Sequence, residues 1–511
     1  MIIILSGQYV EQDLRAEFGE IPPVFLPVGN KRLYNYLIDN IRKNNPNGRI
    51  CITIPENYEI NDWDRDSLIG LNVSLLKVNE SFSLGQSLAF ALSSLNALEE
   101  GVLIYYGDTL LYKALNKIDY NKNIIFTANT EYNYLWHQID KGPLDTQLIF
   151  CGVLSIAKPI ELIQYLISTH FNFESTLKKY YEKNEFEYEK RDDWLDFGHL
   201  NTFYDSKTIV TTQRAFNKLK INKNFVEKES NKKFKLEAEA NWFINTPEIL
   251  IPHTPRLISS HETPSSFSYK LEYLYCPTLT EIFVFGNHPI SIWARIIKSC
   301  FQFVETCNTI PGKSKVDFYQ ALTEKNRSRL SEFIEANPRF AQDVYDENNN
   351  SYNLSSMLEY CHSLINKESK ITFVHGDFCF SNILYDFKKN DIKVIDPRGT
   401  SFDDEICVYG DVRYDLAKVL HSAIGKYDFI ISDRFKIRDD GRAISLVLPD
   451  HTIDLTELIK HQFERSEYDY REILAITATL FISMLPLHYD RPDRQLGFIV
   501  TAINLYKELN K

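Results

Sequence analysis

Only eight cysteines occur among the 511 residues, and no two of them form a CxxC pair. A disulfide framework and a zinc-ligand spacing are therefore both missing. Cys300 and Cys307 stand seven positions apart, two helical turns, and read as core residues. No block of lysine and arginine reaches the density of a nucleic-acid footprint, and the formal net charge is −12. DNA and RNA are not expected as partners, and positive charge is expected locally, around small anionic ligands. No apolar run approaches the roughly 20 residues that span a bilayer. The most apolar stretch, 473–487, contains threonine and serine and reads as a bundle helix, so no membrane insertion is expected. The apolar start, Met1 to Leu5, has no basic segment before it and reads as a buried first strand, not a signal peptide. The expected location is the cytoplasm. There is no internal repeat and no low-complexity tract; residues 347–350 are a short polar loop.

What is present is the composition of a soluble globular protein, 44% hydrophobic and 25% charged, which argues against disorder and fibrous architecture. The length calls for two to three domains. Up to about residue 120, apolar runs at Ile2–Leu5, 50–54, Val73–Val78 and Val102–Tyr106 alternate with amphipathic stretches at 32–43 and 86–98. That alternation predicts α/β architecture, a doubly wound and mostly parallel sheet. Further strands are expected at 123–128 and 148–156, and a helical region at 161–183. From 217 to 235 the chain is rich in Asn and Lys, interrupted by a short strand at 225–228. A helix is expected at 235–244, strands at 254–258 and 267–275, then mostly helix. These features predict a first domain over 1–210 and a two-lobed α+β domain over 214–511, its small lobe about 214–277 and its large lobe about 278–511, with the second half beginning near Arg214.

The most informative segment is Val374-His-Gly-Asp-Phe-Cys-Phe-Ser-Asn-Ile-Leu-Tyr385, followed by Val394-Ile-Asp-Pro-Arg-Gly399. Phosphoryl transfer from ATP needs one carboxylate to take the hydroxyl proton and oxygen ligands to hold Mg²⁺ against the phosphates. Asp377 can supply the first. Asn382 lies five residues on, and Asp396 closes an apolar run 19 residues after Asp377. The pattern resembles the aminoglycoside phosphotransferase and choline kinase branch of the kinase superfamily, which uses His-Gly-Asp, four residues, then Asn. The resemblance implies a two-lobed kinase fold with Asp377 as catalytic base, Asn382 and Asp396 as magnesium ligands, and His375 as a structural anchor. It implies ATP as substrate, Lys228 as the strand lysine on its phosphates, and Glu239 as the partner of that lysine in preference to Glu237. Tyr269-Lys-Leu-Glu-Tyr-Leu274 looks like the hinge, where Glu272 and Leu274 would offer backbone groups to adenine. Asp411 and Asp415, in the helix after the metal motif, read as loop braces.

In the first half, Pro22-Pro-Val-Phe-Leu-Pro-Val-Gly-Asn-Lys-Arg-Leu33 resembles a segment of sugar-nucleotidyltransferases, as do Ser83-Leu-Gly-Gln86, Tyr106-Gly-Asp108 and Trp194-Leu-Asp-Phe-Gly198. The resemblance implies Asp108 and Asp196 as ligands of a second Mg²⁺, with Ser6, Gly7, Gly85 and Gln86 against a nucleotide (CTP, UTP or GTP). The family's Gly-x-Gly-x-Arg loop is here Ser6-Gly-Gln-Tyr-Val-Glu11, one glycine short, and Pro23 stands where the family has Lys. Arg15, Lys31 and Arg32 could supply replacement charge. The two resemblances together imply a kinase acting on a small sugar, alditol or amino alcohol. A nucleotidyltransferase would then couple the phosphate to a nucleotide, giving an NDP-sugar or CDP-alcohol for surface polysaccharide. The alternative is an active kinase beside a degenerate domain that only binds or senses a nucleotide sugar.

Overall fold

The computed structural model describes residues 1–132, 138–141, 147–211, 218–313, 317–450 and 452–511. The chain divides into two compact units, Met1–Thr211 with Phe285–Asn287, and Thr212–Val284 with His288–Lys511. Arg214, the expected start of the second half, lies outside the described residues.

In the first unit β1 (Ile2–Leu5), β2 (Ile50–Pro55), β3 (Val73–Val78) and β4 (Val102–Tyr106) lie in the order β3-β2-β1-β4, all parallel. Every residue of β1 and β2 is buried, because a parallel strand covered on both faces needs an unbroken apolar run. β5 (Ile124–Thr130), β6 (Gln147–Ile156) and β7 (Glu187–Arg191) continue the sheet as β4-β6-β5-β7. β6 runs antiparallel to both neighbours, while β7 is parallel to β5. The α/β class and the mostly parallel sheet expected from the sequence are what the structure has. The reversal at β6 follows from its connection: no crossover helix separates β5 from β6 among the described residues, and without one a strand returns antiparallel.

Leu88, Ala91 and Leu92 of the helix Leu84–Ser94 pack on Ile3, Ile104 and Leu154 of the sheet. The helical region expected at 161–183 is two helices, Pro159–Ser168 and Phe173–Lys183. His170 and Phe171 between them take left-handed backbone, φ 52° and 61°, which ends the first helix.

The second unit opens with a four-stranded antiparallel sheet of β8 (Lys218–Ile221), β9 (Phe225–Ser230), β10 (Leu257–Glu262) and β11 (Phe267–Glu272), ordered β8-β9-β11-β10. The helix Lys233–Ile244 lies between β9 and β10 in the chain and packs on β11. The strand expected at 254–258 begins later, at Leu257, after a 3₁₀ turn over Glu248–His253. Pro255 offers no N–H to a ladder, so pairing starts beyond it. The rest is mainly helical around Tyr470–Ser483, in which residues 473 to 483 are all buried. Thr477, Thr479 and Ser483 are tolerated there because each hydroxyl donates to a carbonyl of its own helix, at 2.8, 2.7 and 3.0 Å.

Candidate active sites

Within the first unit, Ser6 and Asp108 follow the carboxyl ends of the parallel strands β1 and β4, where open α/β sheets gather ligands. The short strand Thr109–Leu111 pairs with Trp194–Asp196, setting Asp196 opposite Thr109, and the Phe197 amide donates to the Asp108 carbonyl at 2.8 Å. Gly198 has to be a glycine here. A Cβ on it would stand 2.6 Å from Asp108 Oδ2 and 3.3 Å from Asp196 Oδ1, so both carboxylates close on one residue. Burial, and then the charge of Asp196, push the Asp108 carboxyl up to about 7. Asp196 accepts from the Gly198 amide at 2.8 Å and from Thr202 Oγ1 at 2.7 Å, and it meets His199 Nδ1 at 2.8 Å. That contact raises the histidine to about 9. Two adjoining carboxylates are hard oxygen donors that suit Mg²⁺. Among the described residues no group of three or more His, Cys, Asp or Glu is placed to hold a metal ion, so any further ligands would be phosphate oxygens and water.

A cleft of about 370 Å³ beside this pair is lined by Ser6, Gly7, Glu11, Leu84, Ser87, Asp108 and His199 among others. Gly85 and Gln86 are not in its lining. A Cβ on Gly85 would meet the Phe171 carbonyl at 2.2 Å, and Gln86 closes a capping box with Ser83. The two therefore shape the helix start that carries Leu84 and Ser87. Arg15 pairs with Glu20, and Lys31 is exposed over the Tyr36 ring; neither lines the cleft. Arg32 is buried against Asp64 at 3.0 Å and is a structural residue.

In the second unit the hairpin Ile383–Asp386 and Asp391–Val394 explains why Asn382 and Asp396 are neighbours. Asn382 immediately precedes one strand, Asp396 follows the other, and the Ile395 amide donates to the Asn382 carbonyl at 2.9 Å. His375 bridges the two segments: Nε2–H donates to the Ile395 carbonyl at 3.0 Å, and Nδ1 accepts from the Asp377 amide at 3.3 Å. Burial lowers this histidine to about 4, so it is neutral at physiological pH. Asp415 braces the turn from below, accepting the amides of His375 and Gly376, each at 2.8 Å.

Asp377 accepts from Asn382 Nδ2 at 3.0 Å and pairs with Lys418 Nζ at 2.8 Å. Burial alone would raise its pKa, but Lys418 and the Asn382 amide hold it below the ordinary carboxylate value. It is therefore ionised and able to receive a hydroxyl proton. Because Asn382 turns its NH₂ toward Asp377, its amide oxygen, which accepts from Ser381 Oγ at 3.3 Å, keeps a lone pair for a cation. With the Asp396 carboxylate it makes a hard-oxygen pair that fits Mg²⁺. Lys228 on β9 reaches Glu239 at 3.0 Å and Asp396 at 2.6 Å, and Tyr269 donates to Glu239 at 2.6 Å. Glu239 is buried and Glu237 exposed, which selects between the two glutamates.

These groups share one cleft of about 1000 Å³, lined by Lys228, Glu239, Asp377, Asn382, Asp396 and Lys418, with Lys325, Arg329 and Arg398 on its helical side. Glu272 and Leu274 do not line it. Lys418 was not anticipated from the sequence, although it stands three residues after Asp415 on the helix Val412–Ala423 and so on the same face.

Gly399 fastens this arrangement to the helix bearing Glu239. Its φ is +66°, and a Cβ there would lie 2.1 Å from the Ala238 carbonyl. Gly399→Ala should cost at least about 2 kcal/mol in chemical denaturation. Gly441→Ala, at φ +88° with nothing within 4 Å, should cost only the backbone strain of about 1 to 2 kcal/mol. Equal losses would count against the steric argument.

No curated protein matches this sequence. Among solved structures, the chain is similar to a nucleoside-diphosphate-sugar pyrophosphorylase of Vibrio cholerae RC9, at 10% identity and TM-score 0.33, over 40% of this chain and 99% of that one. It is similar to CTP:phosphocholine cytidylyltransferase of Streptococcus pneumoniae at 14% identity and TM-score 0.32, over 41% and 98%. It is also similar to a type VIII aminoglycoside-3'-phosphotransferase at 10% identity and TM-score 0.33, over 56% and 100%. Residues 317–438, which carry Asp377, Asn382, Asp396, Asp415 and Lys418, match the model of the phosphotransferase enzyme family, and the second unit therefore holds a segment of that family.

Proposed function

We propose that the second unit transfers the γ-phosphoryl group of ATP to a hydroxyl of a small sugar, alditol or amino alcohol. One observation carries this reading: Lys228, Glu239, Asp377, Asn382 and Asp396, drawn from stretches far apart in sequence, line one cleft. The acceptor oxygen attacks the γ-phosphorus, its proton passes to the Asp377 carboxylate, and the bond to the β,γ-bridging oxygen breaks to release ADP. Lys228, steadied by Glu239, is the cation for the α- and β-phosphates. A Mg²⁺ held by Asn382 and Asp396 would neutralise charge on the phosphates.

The first unit, in the same reading, couples the new phosphate to CTP, UTP or GTP. A phosphate oxygen attacks the α-phosphorus and pyrophosphate leaves, with Asp108 and Asp196 as holders of a second Mg²⁺. The product is an NDP-sugar or CDP-alcohol for surface polysaccharide, made in the cytoplasm. Joining both steps in one chain raises the local concentration of the intermediate's two enzymes. One observation favours a second reading, in which the first unit only binds or senses a nucleotide sugar. Among the described residues its cleft is lined by Glu11, Asp108 and His199 but by no lysine or arginine. Pyrophosphate release from each NTP with the phosphorylated acceptor separates the two. Release with one NTP, lost in Asp108→Asn, is the expected result. Nucleotide binding without release from any NTP would make the second reading the right one.

A further inference from the structure

The acceptor side of the kinase cleft carries more positive charge than its carboxylates offset. Of the acids in the lining, Glu239 and Asp396 are engaged by Lys228, and Asp377 by Lys418. Lys235, also in the lining, stands 4.0 Å from Glu239, and Lys325, Arg329 and Arg398 remain, with Asp404 as the one other lining carboxylate. Among the described residues no carboxylate lies within ion-pair distance of these three.

Their positions are built. Lys325 and Arg329 stand one turn apart on the helix Phe318–Ala336, hence on one face. Arg329 Nη1 donates to the Ser483 carbonyl at 3.3 Å. Arg398 donates from Nε to Thr400 Oγ1 at 3.1 Å and from Nη2 to the Ser401 carbonyl at 3.2 Å. Lys325 Nζ and the Arg398 guanidinium both lie over the Phe402 ring, at 5.0 and 4.8 Å from its centroid. Burial, and then the charges of Arg398, Arg329 and Lys418, bring Lys325 down to about 7. Like charges gathered in a cleft focus a field that an anion would relieve.

The nucleotide does not account for this cluster in the proposed mechanism, because its phosphates would be met by Lys228 and by the Mg²⁺ that Asn382 and Asp396 would hold. Lys325 and Arg329 belong instead to the helical wall, which also contributes Tyr414, Lys418 and Tyr427. Lys418 links the cluster to the base, since it pairs with Asp377 and also acts on Lys325.

We propose that the acceptor is an anionic alcohol, whose carboxylate or phosphate is held by Lys325, Arg329 and Arg398 while its hydroxyl faces Asp377. This rests on the kinase reading above and narrows it, removing amino alcohols from the acceptor class.

The test uses the full chain with Mg²⁺ and a non-hydrolysable ATP analogue, and measures binding of gluconate, glucose 6-phosphate, glucose and choline by calorimetry. At least one of the two anions should bind at least about tenfold tighter than glucose and choline. Preference for gluconate assigns a carboxylate, and preference for glucose 6-phosphate a phosphate. Lys325→Met and Arg329→Gln should each weaken that anion about tenfold or more, with the affinity for the ATP analogue unchanged. Tighter binding of glucose or choline, or no binding of either anion, overturns the proposal. A loss of ATP-analogue affinity in variants with wild-type circular dichroism does so as well, by giving the cluster to the nucleotide. The wild-type panel stands even if a variant misfolds. Binding of an anion without any phosphoryl transfer from ATP would sink the kinase reading and leave the anion site intact.

Discussion

Asp377→Asn should reduce phosphoryl transfer by about 10²- to 10⁴-fold while ATP binding stays near wild type. The substitution keeps the shape and removes the charge. Asp377 now accepts from Asn382 Nδ2 and from Lys418 Nζ, one on each oxygen. An amide at that position has one oxygen and one NH₂, so it cannot accept from both neighbours, nor take a proton from a hydroxyl. ATP binding should survive because, in the proposed mechanism, Lys228 of β9, steadied by Glu239 on the helix Lys233–Ile244, takes the phosphates independently of this side chain. A steady-state assay of ADP formation, paired with equilibrium ATP binding, reads both quantities. Wild-type turnover in this variant would end the assignment of the base.

The second large effect is the loss, between about pH 6.5 and pH 4, of the stability that buried neutral histidines contribute to the second unit. His375 and His362 are fully buried, and burial lowers each to about 4 from the ordinary value of 6.5. The unfolded chain takes up protons at these positions as pH falls through 6.5, whereas the folded chain resists until about 4. The stability these two histidines contribute, complete above pH 6.5, is therefore lost progressively down to pH 4, while Asp415, whose carboxyl burial raises to about 7 from 3.8, works in the opposite sense over the same range. Each histidine contributes about 3 kcal/mol to that loss. His421 acts in the same direction: burial lowers it well below 6.5, neither ring nitrogen has a hydrogen-bond partner among the described residues, and Tyr427 and Phe481 lie 4.2 Å away by ring centroid. Urea unfolding followed by the fluorescence of buried Trp242 and Trp293, repeated across this pH range, measures the slope. His421→Phe should flatten it while leaving stability at neutral pH close to wild type. Identical slopes in wild type and His421→Phe would contradict the burial argument for this histidine.

The contrast between the two units shows what kind of signal a sequence carries. Asp377 and Asn382 are five residues apart on one tight loop, and a β-hairpin brings Asp396 back beside them, so the grouping is legible in a single segment. Lys418 escaped because its partnership with Asp377 depends on the angle at which the helix Val412–Ala423 meets the loop. Gly85 looked like a nucleotide contact in sequence, yet the carbonyl of Phe171, a residue 86 positions away, occupies the space beside it. Lys325, Arg329 and Arg398 are scattered through stretches with no shared motif; packing around Phe402 brings Lys325 to Arg398, and helical spacing sets Arg329 beside Lys325.

Local chemistry alone was enough to determine the buried parallel strands, the α/β class of the first unit and the loop that sets Asp377 beside Asn382. Each depends on neighbours within a few residues or on a short-period pattern. Tertiary structure decided the direction of β6, the pairing of Lys418 with Asp377, and the surplus of cations in the cleft of the second unit. Those outcomes depend on distances and desolvation between segments far apart in the chain. Such quantities take a value only once the chain has closed on itself.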